Sequence, residues 1–142
     1  MATIAVDILT PDRRVLQTQA DSVVVPAADG ELGILAHHAP LLAQLKEGEI
    51  RLRTGNDTQF FAVSGGFVEV QNNHVMVMAE TAEMAHEIDV ERARQAVERA
   101  KADLRTPSGT VDLELIQAAL RRALARLRTY EAIQRHSRTV RN

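Results

Sequence analysis

Arg92, Arg99, Arg122 and Arg126 are the side chains whose type and spacing best suit a chemical task. The first two are seven residues apart and the last two four apart, so each pair shares one face if its segment is helical. Folded back on each other with a turn near residues 108 and 109, two such helices set Arg92 opposite Arg126 and Arg99 near Arg122, on the sides that face the neighbouring helix. Guanidinium groups gathered this way repel unless an anion joins them. A triphosphate brings both the charge and the paired acceptors that forked guanidiniums fit. On spacing alone the plainer reading, four solvated arginines on helix surfaces, stays open.

Other candidates carry less. His37 and His38 are adjacent, so both reach one metal only through an unusual bend; no third ligand follows at a matching interval, and metal binding is not expected. Ser64-Gly65-Gly66 reads as a strand bend, and neither a nucleophile elbow, a zinc-protease helix nor a phosphate-binding loop motif occurs, so catalysis is not expected. Arg121, Arg128, Arg135, Arg138 and Arg141 form a second basic series, for which a solvated helix face and tail is the simple account. A nucleic-acid partner is disfavoured by an isoelectric point near 6.2 and by only three Phe and one Tyr as stacking platforms.

The elements that must position these residues are legible in the apolar period. Up to about residue 80 the period is two: Ile4, Val6 and Ile8, then Ile50 and Leu52, then Val68 and Val70 alternate with polar or small neighbours, as in strands with one face on a core. Thr10-Pro11-Asp12, Ala28-Asp29-Gly30, Glu47-Gly48, Gly55-Asn56-Asp57, Gly65-Gly66 and Asn72-Asn73 punctuate them as turns, and Asn72-Asn73 suits the positive φ angles of a tight hairpin. Past Thr81 the period becomes helical, with Val90, Ala93, Val97, Ala100 and Leu104 in one seam and Leu113, Ile116, Leu120, Ala123, Leu127 and Tyr130 in another. Asp89 caps the first helix, Thr110 or Asp112 the second, and Thr106-Pro107-Ser108-Gly109 separates them. The pattern predicts an antiparallel β-sandwich over residues 1–84, a linker over 85–88 and an α-helical hairpin over 89–142, with helix one about 89–105 and helix two about 112–135. An alanine-rich hairpin buries little apolar area, so it is expected to be marginally stable off a supporting surface and able to switch.

At 142 residues and 45% hydrophobic content the chain can bury a core of Val, Ile, Leu, Ala and Met. It lacks cysteine, which fits a reducing compartment. No apolar run is long enough to cross a bilayer and the N-terminus lacks a signal-like core, so direct membrane insertion is not expected and the mature chain is expected to start near Met1. Charge is polarised. Residues 1–104 hold 9 Lys and Arg against 16 Asp and Glu, whereas residues 105–142 hold 8 against 3, a basic tail suited to an anionic partner.

The run from Asp29 to Leu42, with Gly30, Gly33, His38 and Pro40, together with Phe61 to Val70 around Ser64-Gly65-Gly66, resembles the epsilon subunit of the F-type ATP synthase, and the likeness spans nearly the whole chain. Ala36-His37 stands where many members have Pro-Gly. The resemblance implies a non-catalytic central-stalk subunit at the cytoplasmic face of a bacterial cell membrane, coupling the gamma subunit to the membrane c-ring of a proton- or sodium-driven synthase. It implies Glu31 and His38 as c-ring contacts. Ile88-Asp89-Val90-Glu91-Arg92-Ala93 matches a motif that binds ATP in some bacterial members, which with Glu83 implies a regulatory ATP site of Glu83, Ile88, Asp89, Arg92, Ala93, Arg99, Arg122 and Arg126. Locally, Ile88 and Asp89 are also simply a pre-cap apolar residue and a cap. The resemblance further implies that the hairpin inhibits ATP hydrolysis when extended, with Arg121, Arg128 and Arg135 docked on the alpha/beta catalytic hexamer, and that ATP holds it folded. A stand-alone ATP-sensing domain without a rotor partner is the alternative.

Overall fold

The computed structural model describes residues 2–105 and 113–141, with side chains described as far as Arg135. The expected separator at residues 106–109, the caps Thr110 and Asp112, and the Arg138 and Arg141 side chains lie outside the described residues. Eight strands come first: β1 (Ile4–Leu9), β2 (Arg14–Ala20), β3 (Ser22–Ala27), β4 (Gly30–Leu35), β5 (Leu41–Gln44), β6 (Gly48–Thr54), β7 (Asp57–Gln71) and β8 (His74–Met84). A single 3-10 turn, Ala85–Glu87, leads to α1 (Val90–Arg105) and α2 (Leu113–Arg141). Helix two thus runs past residue 135, where the apolar period fades; no Gly or Pro interrupts residues 136–141.

The strands pair in the order β2-β1-β8-β7-β6-β3-β4, with β5 added on β7. The long β7–β8 hairpin belongs to two layers. Its outer half, residues 67–71 against 74–78, carries β5 on one side and β1, in parallel register, on the other; its inner half, residues 57–63, carries β6, followed by β3 and β4. Between these halves Gly65 and Gly66 take φ of 54° and 103°. A Cβ on Gly66 would sit 2.0 Å from the Met78 carbonyl oxygen, so the bend demands glycine. Period-two residues fill the space between the layers: Ile4, Val6, Ile8, Val23, Val25, Ile34, Ile50, Leu52, Phe61, Val68, Val70, Val75 and Val77 form one continuous buried core. At the tip of the hairpin Asn72 and Asn73 have φ of 51° and 57°, as their sequence predicts for a two-residue turn.

Two outer faces result. The outer face of β6 and the inner half of β7–β8 is covered by α2, which packs on β6, β7 and the 3-10 turn, while α1 packs on α2. Sandwiched this way, α2 presents two apolar stripes. Ile116 faces Ala96 and Ala100 of α1, whereas Ala132 joins Phe60 and Ala85 in a small second cluster. Ala125 and Thr129, one turn apart and both buried, continue the sandwich-facing stripe, and the Thr129 hydroxyl donates back to the Ala125 carbonyl at 2.8 Å. Leu113, expected in the seam with α1, is 56% exposed at the first position of α2. The opposite outer face, across β5, β7, β8 and β1, stays bare: Leu42, Phe67 and Met78 are exposed there, with Leu9 beside Met78 in the register.

Candidate functional site

The covered face is where most of the singled-out side chains meet. Asp89 ends the 3-10 connection, and its Oδ1 accepts the Arg92 backbone N–H at 3.1 Å while its carbonyl accepts that of Ala93 at 3.0 Å. Ile88 before it and Ala93 after it are buried, which fixes the angle at which α1 leaves the sandwich. From β8, the Glu83 carboxylate forms an ion pair with Arg126 of α2. Beneath them lies a cavity of about 100 Å³ lined by Ala62, Val63, Ser64, Thr81, Glu83, Arg122, Ala125 and Arg126. Its floor is polar: the Ser64 and Thr81 hydroxyls lie 2.5 Å apart across the β7–β8 register, and Ser64 is buried.

Not all four arginines share that cavity. Arg122 and Arg126 flank Ala125 and so lie on the sandwich side of α2, not opposite α1 as the two-helix geometry predicts. The reason is the second apolar stripe: Ala125, Thr129 and Ala132 seat α2 on the sheet and rotate its arginine pair with them. Arg99 lines a separate cleft of about 250 Å³ between the helices, with Ala96, Ala100, Asp103, Leu115, Ile116 and Ala119. The side chain of Arg92 is exposed at the start of α1. Glu83, Arg122 and Arg126 are therefore brought together, and Arg92 and Arg99 stand apart from them.

A second charged region runs along the same face. Arg121, Arg128 and Arg135 recur every seven residues and so form one stripe of α2. Arg121 Nε is 3.6 Å from Glu47 Oε2 in the turn before β6. Further along, Arg128, Glu131 and Arg135 line a cleft of about 510 Å³ with Pro26, Glu31, Lys46, Glu47, Gly48 and Glu49. Burial pushes the Glu49 carboxyl above the ordinary range, opposed by Arg51, Arg135 and Arg128 and reinforced by Glu31. Arg51 binds Glu31 at 2.9 Å and approaches Glu49 at 3.9 Å. Glu47 and Glu49 were not singled out in the sequence, although they flank Gly48 at the start of an alternating strand and had to point somewhere other than the core.

Glu31 and His38 do not share one neighbourhood. Glu31 is the second residue of β4, beside α2, whereas His38 lies three residues beyond the strand's far end; Glu31 to Leu35 alone spans about 13 Å. The His38 ring Nδ1 is 2.7 Å from the Ala39 carbonyl oxygen. His37 adopts φ of 65°, the left-handed region that favours glycine, and donates its N–H to Asn73 Oδ1 at 2.8 Å. Asn73 Nδ2 in turn donates to the Thr3 carbonyl at 2.9 Å, so one side chain ties this loop to the β7–β8 turn and the start of β1. Among the described residues no group of three or more His, Cys, Asp or Glu is arranged to hold a metal ion. No helix among them is long and apolar enough to cross a membrane.

The bare apolar face was also missed in the sequence, though a signal was present. Leu41-Leu42 and Phe67-Val68 are adjacent apolar pairs in alternating strands, so one member of each must point outward.

A sandwich clothed by a helical hairpin on one face and bare and apolar on the other is the build of a subunit that works inside an assembly. Comparison with known proteins identifies the assembly. The family described as ATP synthase, Delta/Epsilon chain, beta-sandwich domain matches residues 3–85, and its long alpha-helix domain matches residues 86–131. The ATP synthase epsilon chain of Desulforamulus reducens is 46% identical over 125 residues, covering 88% of this chain and 95% of its own. That of Symbiobacterium thermophilum is 46% identical over 134 residues, covering 94% and 96%. Among solved structures, a chain of the Euglena gracilis mitochondrial ATP synthase (OSCP/F1/c-ring) superposes with a TM-score of 0.76 at 27% identity, covering 85% of this chain and 77% of that one. The chain belongs to the ATP synthase delta/epsilon family, as an epsilon-type, non-catalytic subunit of the central stalk.

Proposed function

We propose that this subunit couples rotation through its sandwich and regulates ATP hydrolysis through its hairpin. The observation that carries the proposal is the contrast between the two outer faces. Exposed Leu42, Phe67 and Met78, contiguous across three paired strands, suit a permanent apolar partner, for which the gamma subunit is the candidate. Glu31 and His38 are then candidates to meet the polar loops of the membrane c-ring, with the subunit peripheral on the cytoplasmic face of the membrane. The covered face works differently. Its seam with α2 sets Phe60 and Ala85 against Ala132 and the half-buried Ile133, continued by Ala125 and Thr129, a far smaller apolar cluster than the sandwich core, supplemented by the Glu83–Arg126 ion pair. Such an interface can be surrendered.

In the folded state the hairpin leaves the catalytic hexamer free; released and extended, α2 docks Arg121, Arg128 and Arg135 on the alpha/beta subunits and blocks hydrolysis. ATP is the regulatory ligand. It joins Arg122 and Arg126 above the Ser64–Thr81 floor, with Glu83, Ile88, Asp89 and Ala93 setting the position of α1 and with Arg92 and Arg99 swinging in to complete the anion site. A ligand that binds only the folded form shifts the equilibrium by its differential affinity. The test is the ATPase rate of epsilon-free complex with and without added chain, and with the chain truncated after Glu87. Full-length chain should lower the rate and the truncation should not; equal rates in all three samples refute the inhibitory role. Co-purification with gamma separates a rotor subunit from a stand-alone ATP sensor, which would remain monomeric.

A further inference from the structure

We propose that the carboxylates Glu31, Glu47 and Glu49 on the sandwich are a resting dock for the arginine stripe of α2, so that Arg121, Arg128 and Arg135 are sequestered whenever the hairpin is folded. Three observations carry it. Seven-residue spacing sets the arginines along one line that spans about 21 Å of helix. Glu47, in the turn before β6, meets the first of them at 3.6 Å, and the Glu31–Glu49 cleft receives the other two. The apolar cluster that seats α2 on the sandwich is confined to Phe60, Ala85, Ala132 and Ile133 near one end of the contact, which leaves charge to set the register and azimuth of the helix along the rest.

The dock is acidic overall but contains its own counter-charge. Lys46 and Arg51 from the sandwich and Glu131 from α2 stand among the carboxylates. Arg51 stays with Glu31 and Glu49 when the helix leaves, so the vacated face is not stripped of all its partners and release is not prohibitive. An anionic surface elsewhere in the assembly can therefore capture the same stripe only in exchange for the dock. The two contacts are mutually exclusive. This second half rests on the proposed docking of α2 on the catalytic hexamer; the dock itself does not.

The test uses the full chain, whose lack of cysteine allows paired spin labels at Asn56→Cys in the β6–β7 turn and Gln117→Cys on α2. Glu47→Arg should raise the released population about fivefold, seen as a longer-distance component that 0.5 M salt also promotes. Swapping the charges, Glu47→Arg with Arg121→Glu, should restore the distance of the unsubstituted protein and shows that a misfolded sandwich is not the cause. An unchanged distance distribution in Glu47→Arg and in the Glu31→Gln/Glu47→Arg double variant overturns the dock. In assembled enzyme Glu47→Arg should deepen inhibition several-fold. A lengthened distance with an unaltered ATPase rate would uphold the dock and sink the hexamer docking on which exclusivity depends.

Discussion

Adjacent phenylalanines separate the two kinds of surface this chain builds. Phe61 points into the sandwich and is fully buried by residues from both layers; Phe60 points the other way and is buried by Ala85 and Ala132 at the foot of the hairpin. One side of β7 is thus closed by large interlocking side chains and the other by alanines, a half-buried Ile133 and ion pairs. The same sandwich turns a third surface outward, where Phe67 is 50% exposed with Leu42 and Met78 near it. The core makes the fold, the thinner seam under α2 is the contact proposed to open, and the bare face is the one proposed to take a partner. The number of interlocking apolar side chains, more than their polarity, distinguishes the seam proposed to open from the core.

Substitutions on the three surfaces should separate accordingly. Phe61→Ala should cost about 3–5 kcal/mol of global stability in denaturant unfolding, while Phe60→Ala should cost under about 2 kcal/mol and instead raise hydrogen exchange in α2. Equal global losses would erase the distinction between core and seam. Phe67→Asp should leave stability within about 0.5 kcal/mol yet weaken binding to gamma by about 2 kcal/mol or more in a pull-down or calorimetric titration. Arg126→Ala, which leaves Glu83 without its guanidinium, should weaken hairpin docking and ATP binding by about 1 kcal/mol, read as a roughly fivefold loss of ATP affinity. His37→Gly should add about 0.5 kcal/mol, since the left-handed φ costs glycine nothing in the native turn, provided the N–H bond to Asn73 persists.

The smallest effect tests the electrostatics of the covered face. Because its pKa is raised on folding, Glu49 holds its proton more tightly in the native chain than in the unfolded one; stability falls as pH rises from the ordinary carboxylate range through the raised value, and the penalty is complete above it. Glu49→Gln should therefore stabilise the sandwich at neutral pH, by no more than about 0.5 kcal/mol, and flatten that part of the pH–stability curve. A loss of stability at neutral pH would mean that Arg51, Arg128 and Arg135 outweigh desolvation at this carboxylate.

Much of the fold could be read from apolar spacing because both periods are enforced by burial. Ile4, Val6 and Ile8, or Val68 and Val70, must reach one core, and Ala93, Val97 and Ala100 one neighbouring helix. The turn at Asn72-Asn73 and the bend at Gly65-Gly66 were legible for a second reason, since only a few residues tolerate positive φ. Rotation of α2 was not legible. Its seam with α1 announces itself through Ile and Leu, but its contact with the sandwich rests mainly on Ala125, Thr129 and Ala132, too small to stand out against helix-forming alanines elsewhere, with Ile133 a lone larger residue beside them. Hence the four arginines looked like one cluster between two helices, whereas Arg122 and Arg126 turn to the sheet and meet Glu83. Pairing of charges between distant segments, Arg121 with Glu47 for instance, follows from that rotation and carries no local signature of its own.

The central claim is that the alanine seam opens in the working complex and the sandwich does not. It is tested most directly by Ser64→Cys with Ala125→Cys, two positions lining the same cavity between β7 and α2, in assembled enzyme whose other cysteines have been replaced. Oxidation should hold α2 on the sandwich and raise ATP hydrolysis to the rate of complex carrying the truncation after Glu87, with inhibition returning on reduction. The same rate in the oxidised and reduced states, with the cross-link verified, would contradict the account.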